Sequence, residues 1–146
     1  MKYTPLVAVS EHRYHRRVQF ADTDMAGVVH FSVIARYMEE AEHALWRSAG
    51  LSICPPDGTV SFPRVSVAID FKAPLYFEEE IEVHVRLTSM SKRSLSYAHT
   101  ITRGNTVIAT GTMTAVCVRK SVTPMKAVEI PQDILERLAV HLPSSP

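Results

Sequence analysis

Apolar and polar positions alternate along this chain with two different periods, and the change of period divides it into elements. From Ser32 to Gly50, Ile34, Tyr37, Met38, Ala41, Leu45 and Ala49 recur at three- and four-residue steps. That spacing predicts an amphipathic helix with one apolar stripe. Ser32 stands where an N-cap is expected, and Gly50 is placed to end the helix. Arg36, Glu39, Glu40, His43 and Arg47 occupy the other faces, with Arg36 and Glu40 spaced as an i,i+4 charge pair. Elsewhere the period falls to two. Arg13–Phe20 carries Tyr14, Val18 and Phe20 as its apolar members and reads as a first strand. After the Pro55-Pro56-Asp57-Gly58 loop come four more strands, marked by Val65/Val67/Ile69/Phe71, by Ile81/Val83/Val85/Leu87, by Leu95/Tyr97/His99/Ile101, and by the run from Val107 to Lys120. Pro74 breaks the first of these, and Gly104-Asn105 turns the third into the fourth. Short connections predict an antiparallel meander. Pro131 to Leu142 reads as a short tail helix with Ile134, Leu135 and Leu138 as its contacts, and the last residues, from Pro143 to Pro146, are expected to fray.

Length and composition narrow the class. At 146 residues the chain suits one domain, 1–146, with a core of its own, and no repeat or long linker divides it. Apolar residues make up 46% and charged residues 21%, which is ordinary globular usage. A net charge of +1 offers no electrostatic footprint for nucleic acid. No apolar run has the length of a signal peptide or a membrane span, so the cytoplasm is the expected location. Residues 1–12 read as a leader, loose or packed on a partner. Cys54 and Cys117 lack metal or redox spacing and read as free thiols. Glu11, His12 and His15 read as solvated strand-edge side chains, with no metal-ligand spacing nearby.

The candidate chemistry gathers just before the long helix, at Phe20-Ala21-Asp22-Thr23-Asp24-Met25-Ala26-Gly27-Val28-Val29-His30-Phe31. Two acids spaced by one residue end the first strand, a glycine turn follows, and the helix begins. A carboxylate is thereby brought beside backbone N–H groups that have no partner within the helix. The pattern leaves two roles open to Asp24: an acid that complements the helix dipole, or one that works on a carbon whose oxygen the N–H groups hold.

Asp22-Thr23-Asp24-Met25-Ala26-Gly27-Val28-Val29, continued by Phe31 and Arg36-Tyr37-Met38-Glu39-Glu40-Ala41, resembles the signature of the 4-hydroxybenzoyl-CoA thioesterase-like acyl-CoA thioesterases. The resemblance implies an α+β hotdog fold, a bent antiparallel sheet wrapped around one long central helix. It implies a homodimer formed by edge-to-edge sheet pairing, with sites at the seam, and further pairing into tetramers. The reaction implied is hydrolysis of a fatty or aromatic acyl-CoA to the free acid and CoA, with no cofactor beyond the CoA of the substrate and no metal.

Within that resemblance Asp24 is the catalytic carboxylate, as nucleophile or as base for water. Backbone N–H groups of Val29, His30 and Phe31 would polarise the carbonyl. Asp22, Gly27, His30 and Tyr37 would line the site, Asp22 chiefly by fixing the turn and Gly27 by letting the backbone bend. Phe31 would also shape the acyl pocket. His30 either orients water and carbonyl or simply sits hydrogen-bonded at the helix mouth. Lys92, Arg93 and Arg64 are the cations assigned to CoA; Arg64 could instead pair with an acid across the sheet. A second branch of thioesterases puts its acid on the long helix, but with Asp24 present, Glu39, Glu40 and Glu42 read as solvated or interface charges. Competing readings are a thioesterase acting on acyl carrier protein and a non-catalytic acyl-CoA-binding protein. A hotdog dehydratase is disfavoured because its His-centred motif is missing.

Overall fold

The structure is a computed structural model that describes residues 7–143. The leader before Val7 and the three last residues of the tail lie outside the described residues. Strand β1 (Glu11–Arg17) leads through a 3-10 turn (Phe20–Asp22) to the long helix α1 (Phe31–Ser48). Then come β2 (Val60–Ser61), β3 (Arg64–Phe71), β4 (Glu80–Met90), β5 (Ser94–Arg103), β6 (Thr106–Val116), β7 (Val118–Arg119) and the short helix α2 (Gln132–Arg137). Five strands form one antiparallel sheet in the order β1-β4-β5-β6-β3, and β2 pairs with β7 beside it. No helix among the described residues is long and apolar enough to cross a membrane.

The meander is confined to β4, β5 and β6. Strand β3 pairs with β6 rather than with β4, its successor in the chain. The connection 72–79 therefore crosses the end of the sheet, which alternation within single strands does not reveal. Pinning holds it there: Arg103 Nη1 donates to the Pro74 carbonyl at 2.9 Å and pairs with Glu79 at 3.0 Å. Val29 N–H donates to the Leu75 carbonyl at 2.9 Å.

Helix α1 lies with Ile34, Tyr37, Met38, Ala41 and Leu45 buried against Val83, Val85, Leu95, Tyr97 and Ile101 of the sheet. Its carboxyl end closes through Gly50, at φ +75, whose N–H donates to Arg47 while Leu51 N–H reaches back to Trp46. Its amino end is capped two residues earlier than the sequence suggests. His30, not Ser32, is the cap, its Nδ1 accepting from Ser32 N–H at 3.2 Å. An imidazole acceptor is not among the usual capping side chains. The first strand stops at Arg17 because Phe20–Asp22 tightens into the 3-10 turn, leaving Phe20 77% exposed. The tail helix ends at Arg137. Beyond it the chain is extended: Ala139 N–H bonds Val9 and His141 N–H bonds Leu87.

All three glutamates of α1 are ion-paired, and Glu40 and Glu42 are also drawn out of solvent. Glu42 is 3% exposed, with His99 Nε2 at 2.6 Å and Arg64 Nη1 at 2.8 Å. Glu40 accepts from Tyr14 at 2.8 Å and Arg16 at 2.9 Å, so its partner is not Arg36. Glu39 takes the second arm of Arg64 at 3.1 Å. Helical spacing places a side chain on a face, but the charges that β1, β3 and β5 bring to that face come from far along the chain. Breaking a buried pair strands the remaining charge, so Glu42→Ala is expected to destabilise the fold by about 3 kcal/mol. Glu39→Ala, at a half-exposed site, is expected to cost under ~1 kcal/mol; urea midpoints of the two variants check the contrast.

Candidate active site

A tight hairpin-like loop joins the 3-10 turn to α1. Thr23 and Val29 form an antiparallel bridge, Asp24 N–H donates to Val28 O at 2.9 Å, and Gly27 N–H donates to Asp24 O at 3.0 Å. Gly27 sits at φ +80, a conformation that costs other residues a steric penalty, although a Cβ there would meet no neighbour. The Asp24 carboxylate folds over this turn, Oδ1 accepting from Ala26 N–H at 2.8 Å. Its other oxygen has no hydrogen-bond partner among the described residues.

The two acids of the motif have opposite surroundings. Asp22 is 3% exposed. Its Oδ2 accepts from Tyr37 OH at 2.7 Å, Gln19 N–H at 2.9 Å and Arg16 Nη1 at 3.1 Å, and its backbone carbonyl accepts from His30 N–H at 3.0 Å. Burial pushes its pKa up, but the Gln19 amide, the Tyr37 hydroxyl and the Arg16 guanidinium together outweigh burial and hold it below the usual aspartate value. Burial, reinforced by the Asp22 charge, drives the Tyr37 phenol far above its ordinary range, so it acts only as a donor. Arg16 also lies over the Tyr37 ring, 4.9 Å from its centroid. Asp24, by contrast, is half-buried and lines two cavities. One, of about 450 Å³, runs between the start of α1 and the 72–79 connection, with Val28, Phe31, Ile34, Phe71 and Leu75 among its walls. The other, of about 560 Å³, is framed by Phe20, Met25, Gly27 and Phe77, with the two phenylalanine rings meeting edge to face at 5.9 Å.

Several residues assigned from the sequence are placed differently. Of the three backbone donors, Val29 N–H is taken by Leu75 and His30 N–H by Asp22. Phe31 N–H alone has no partner among the described residues, because Phe31 is the first residue of α1 and has no preceding turn to bond to. Tyr37 is fully buried and belongs to the Asp22 cluster behind the cavities, not to their walls. His30 is committed to capping, with Ser32 Oγ 2.7 Å from its Nδ1, and lines neither cavity. Arg64 is held by Glu39 and Glu42 on the helix, not by an acid across the sheet, and is not a free cation. Lys92 and Arg93 lie in the β4–β5 turn, at the far end of the sheet from Asp24 within one chain.

Sequence reasoning missed Lys72, which lines the 450 Å³ cavity with Asp24. Pro74 marks where β3 must stop, but nothing local signals that the following segment doubles back under the helix start. A third cavity, about 370 Å³, lies at the opposite end of α1 between Trp46, Phe62 and Ile134, and contains none of the motif residues.

Chemically, this arrangement offers a carboxylate with a free oxygen, a helix-opening N–H without a partner, and apolar walls for the body of a ligand. Residues 18–138 match the Thioesterase-like superfamily. A 1,4-dihydroxy-2-naphthoyl-CoA hydrolase of Synechococcus elongatus is 25% identical over 112 residues, 75% of this chain and 82% of that protein. Among solved structures, a 1,4-dihydroxy-2-naphthoyl-CoA thioesterase from Synechocystis superposes with a TM-score of 0.79 at 26% identity, covering 88% of this chain and 95% of that one. A hypothetical protein from Thermus thermophilus superposes with a TM-score of 0.81 at 35% identity, covering 91% and 99%.

The Asp22 cluster carries a pH signature. A carboxyl whose folded pKa is lowered contributes stability that is complete above its unfolded pKa, about 4, and is lost as the pH falls through the lower folded value. Asp22→Asn is expected to lower stability at pH 7 by on the order of 2 kcal/mol, the scale of hydrogen bonds to a charged group. The gap between variant and wild type should close as the pH falls below about 4, read from urea midpoints at successive pH values.

Proposed function

The chain belongs to the thioesterase-like superfamily, and from that premise we propose that it is an acyl-CoA thioesterase of the hotdog architecture in which Asp24 is the reacting carboxylate. It is a thioester hydrolase by family. The carrying observation for the finer reading is that Asp24, with an unengaged oxygen, and Phe31, with an unengaged N–H at the helix opening, line one cavity. A thioester seated there presents its carbonyl carbon to Asp24 and its oxygen to the Phe31 N–H, where the helix dipole favours developing negative charge. Asp24 either attacks the carbon, giving a mixed anhydride that water then cleaves, or draws a proton from an attacking water. Both routes release CoA and the free acid, and both use only Asp24, water and backbone donors.

Aromatic acyl groups suit the site best: Phe31 and Phe71 wall the cavity, and two of the three relatives named above act on a naphthoyl thioester. Fatty acyl groups of similar volume are the alternative. The free thiols of Cys54 and Cys117 accord with a cytoplasmic setting.

The assembly we propose is a homodimer through β3. This strand is one of the two edges of the sheet, and Val65, Val67 and Phe71 on it are 63%, 49% and 53% exposed. An unpaired apolar edge is a template for another strand. Antiparallel pairing of two β3 strands about a two-fold axis exchanges the ends of the sheet. The partner's β4–β5 turn then comes to the end where Asp24 sits, and Lys92 and Arg93 return as CoA-binding candidates in trans. Pairing of dimers into tetramers would use other surfaces.

Thiol release from short, long and aromatic acyl-CoAs tests the reading. Wild type is expected to cleave at least one, and Asp24→Asn to lose about a hundredfold or more, the contribution of a positioned acid–base group or nucleophile. If the variant is nearly as fast, Asp24 is not the reacting group. Val67→Lys is expected to shift the light-scattering mass to the monomer and to reduce turnover with it.

A further inference from the structure

Lys72 follows the last residue of β3, and its backbone N–H is fixed by the Ile108 carbonyl at 2.8 Å. Lys72 is exposed at the wall of the 450 Å³ cavity and is, among the described residues, the one cation on that wall. Arg13, Arg16, Arg17, Arg64 and Arg103 all have carboxylate partners within 3.1 Å. Lys72 has no carboxylate or hydrogen-bond partner among the described residues, not even Asp24 on the same cavity. The rest of the wall is apolar, from Val28 and Phe31 to Ile34, Phe71 and Leu75. A half-buried carboxylate and an exposed ammonium thus border one solvent-open chamber with mainly apolar walls, without touching, and a ligand filling it would meet both.

We propose that Lys72 is a specificity-determining residue, whose ammonium binds an anionic or hydrogen-bond-accepting oxygen carried by the acyl group at the end remote from the thioester. The inference rests on the thioesterase reading for its orientation, with the thioester carbon at Asp24. The chamber's size then decides what Lys72 meets. A compact cavity of this volume is on the order of 10 Å across, the scale of a small-ligand site. Pantetheine, extended at roughly 3.5 Å per amide-like unit, puts the nearest CoA phosphate on the order of 15 Å from the thioester. A cation sharing the chamber with Asp24 therefore faces the acyl group and not the phosphates. A carboxylate or phenolic oxygen on the acyl body supplies the acceptor, and a charge-assisted hydrogen bond from the ammonium favours it.

Two substrate pairs test this: glutaryl-CoA against pentanoyl-CoA, and 4-hydroxybenzoyl-CoA against benzoyl-CoA, with wild type, Lys72→Met and Lys72→Arg. Wild type is expected to prefer the oxygen-bearing member of at least one pair in kcat/KM. Lys72→Met should cut that preference roughly tenfold or more, the scale of a charge-assisted hydrogen bond, and Lys72→Arg should retain it. An unchanged ratio in Lys72→Met overturns the proposal. So does a KM rise that is equal for both members and vanishes with acyl-pantetheine substrates, because Lys72 then binds phosphate. Calorimetric binding of the same pairs to Asp24→Asn, with and without Lys72→Met, separates the two readings. A Lys72-dependent preference in binding, without turnover by wild type, upholds Lys72 and removes the hydrolase reading. Turnover with no such preference does the reverse, and absence of both binding and turnover overturns both.

Discussion

An ionised carboxylate buried beneath the helix start is the constraint on which the candidate site depends. Taking Asp22 out of water is costly, and the cost is tolerable only because three donors converge on one oxygen. Each donor comes from a different part of the chain: Arg16 from β1, Gln19 from the cap of the 3-10 turn and Tyr37 from the second turn of α1. Their common acceptor fixes the angle at which strand, turn and helix meet. The Asp22 carbonyl adds a fourth tie, to His30 N–H at the cap. Glu40 braces the same corner, taking Arg16 and Tyr14 together. With both sides of the Asp24 loop held, its half-exposed carboxylate keeps a defined place without being consumed in holding it.

This division of labour bears on how much could be read from residues alone. The helix and the strands β4 and β5 were legible because their periods are local and long. The buried residues Ile81, Val83, Val85 and Leu87, and Leu95, Tyr97, His99 and Ile101, are those that alternation selects. The position of the acid pair before a helix was legible too. Partners were not. That His30 caps the helix, that Val29 N–H goes to Leu75, and that Glu42 is buried against Arg64 and His99 all depend on segments brought together by the sheet order. Period-two alternation makes Val65, Val67, Ile69 and Phe71 of β3 look like an interior face, yet in one chain most of them are exposed on this edge strand.

The crossing from β3 to β4 links this topology to chemistry. Had β3 paired with β4 through a tight turn, no segment would pass the opening of α1. The crossover instead carries Lys72, Ala73, Pro74 and Leu75 across the sheet end, where they become one wall of the Asp24 cavity. The Leu75 carbonyl takes the Val29 N–H, tying wall and loop together at the position next to the cap. Of the consecutive N–H groups at residues 29–33, four are satisfied by Leu75, Asp22 and the two acceptors of His30. Phe31 is the exception. A single open donor in an otherwise satisfied turn is a more directional feature than the diffuse positive end of a helix.

The two ends of α1 are treated in opposite ways, and the contrast is informative. Toward the carboxyl end, charges neutralise one another in the interior: Glu42 sits between Arg64 and His99, and Trp46 donates to Tyr97 at 2.9 Å. Burial there, with the Glu42 charge nearby, drives the Tyr97 phenol far above its ordinary range, so it remains a neutral partner. Toward the amino end, saturation stops at Asp22 and the next layer is left open: one oxygen of Asp24, the Phe31 N–H and the Lys72 ammonium. Asp24 and the Phe31 N–H are positioned by that satisfied layer, and all three groups stand open to solvent and to a ligand. Their mixture of one acid, one neutral donor and one cation around an apolar chamber suits a ligand with a polarised carbonyl at one end, an apolar body and a second oxygen at the other. This asymmetry within a single helix argues for the amino end as the working end more strongly than cavity size, since the cavity at the carboxyl end is of comparable volume and, although Asp57 and Asp133 line it, has no cation among the described residues of its wall.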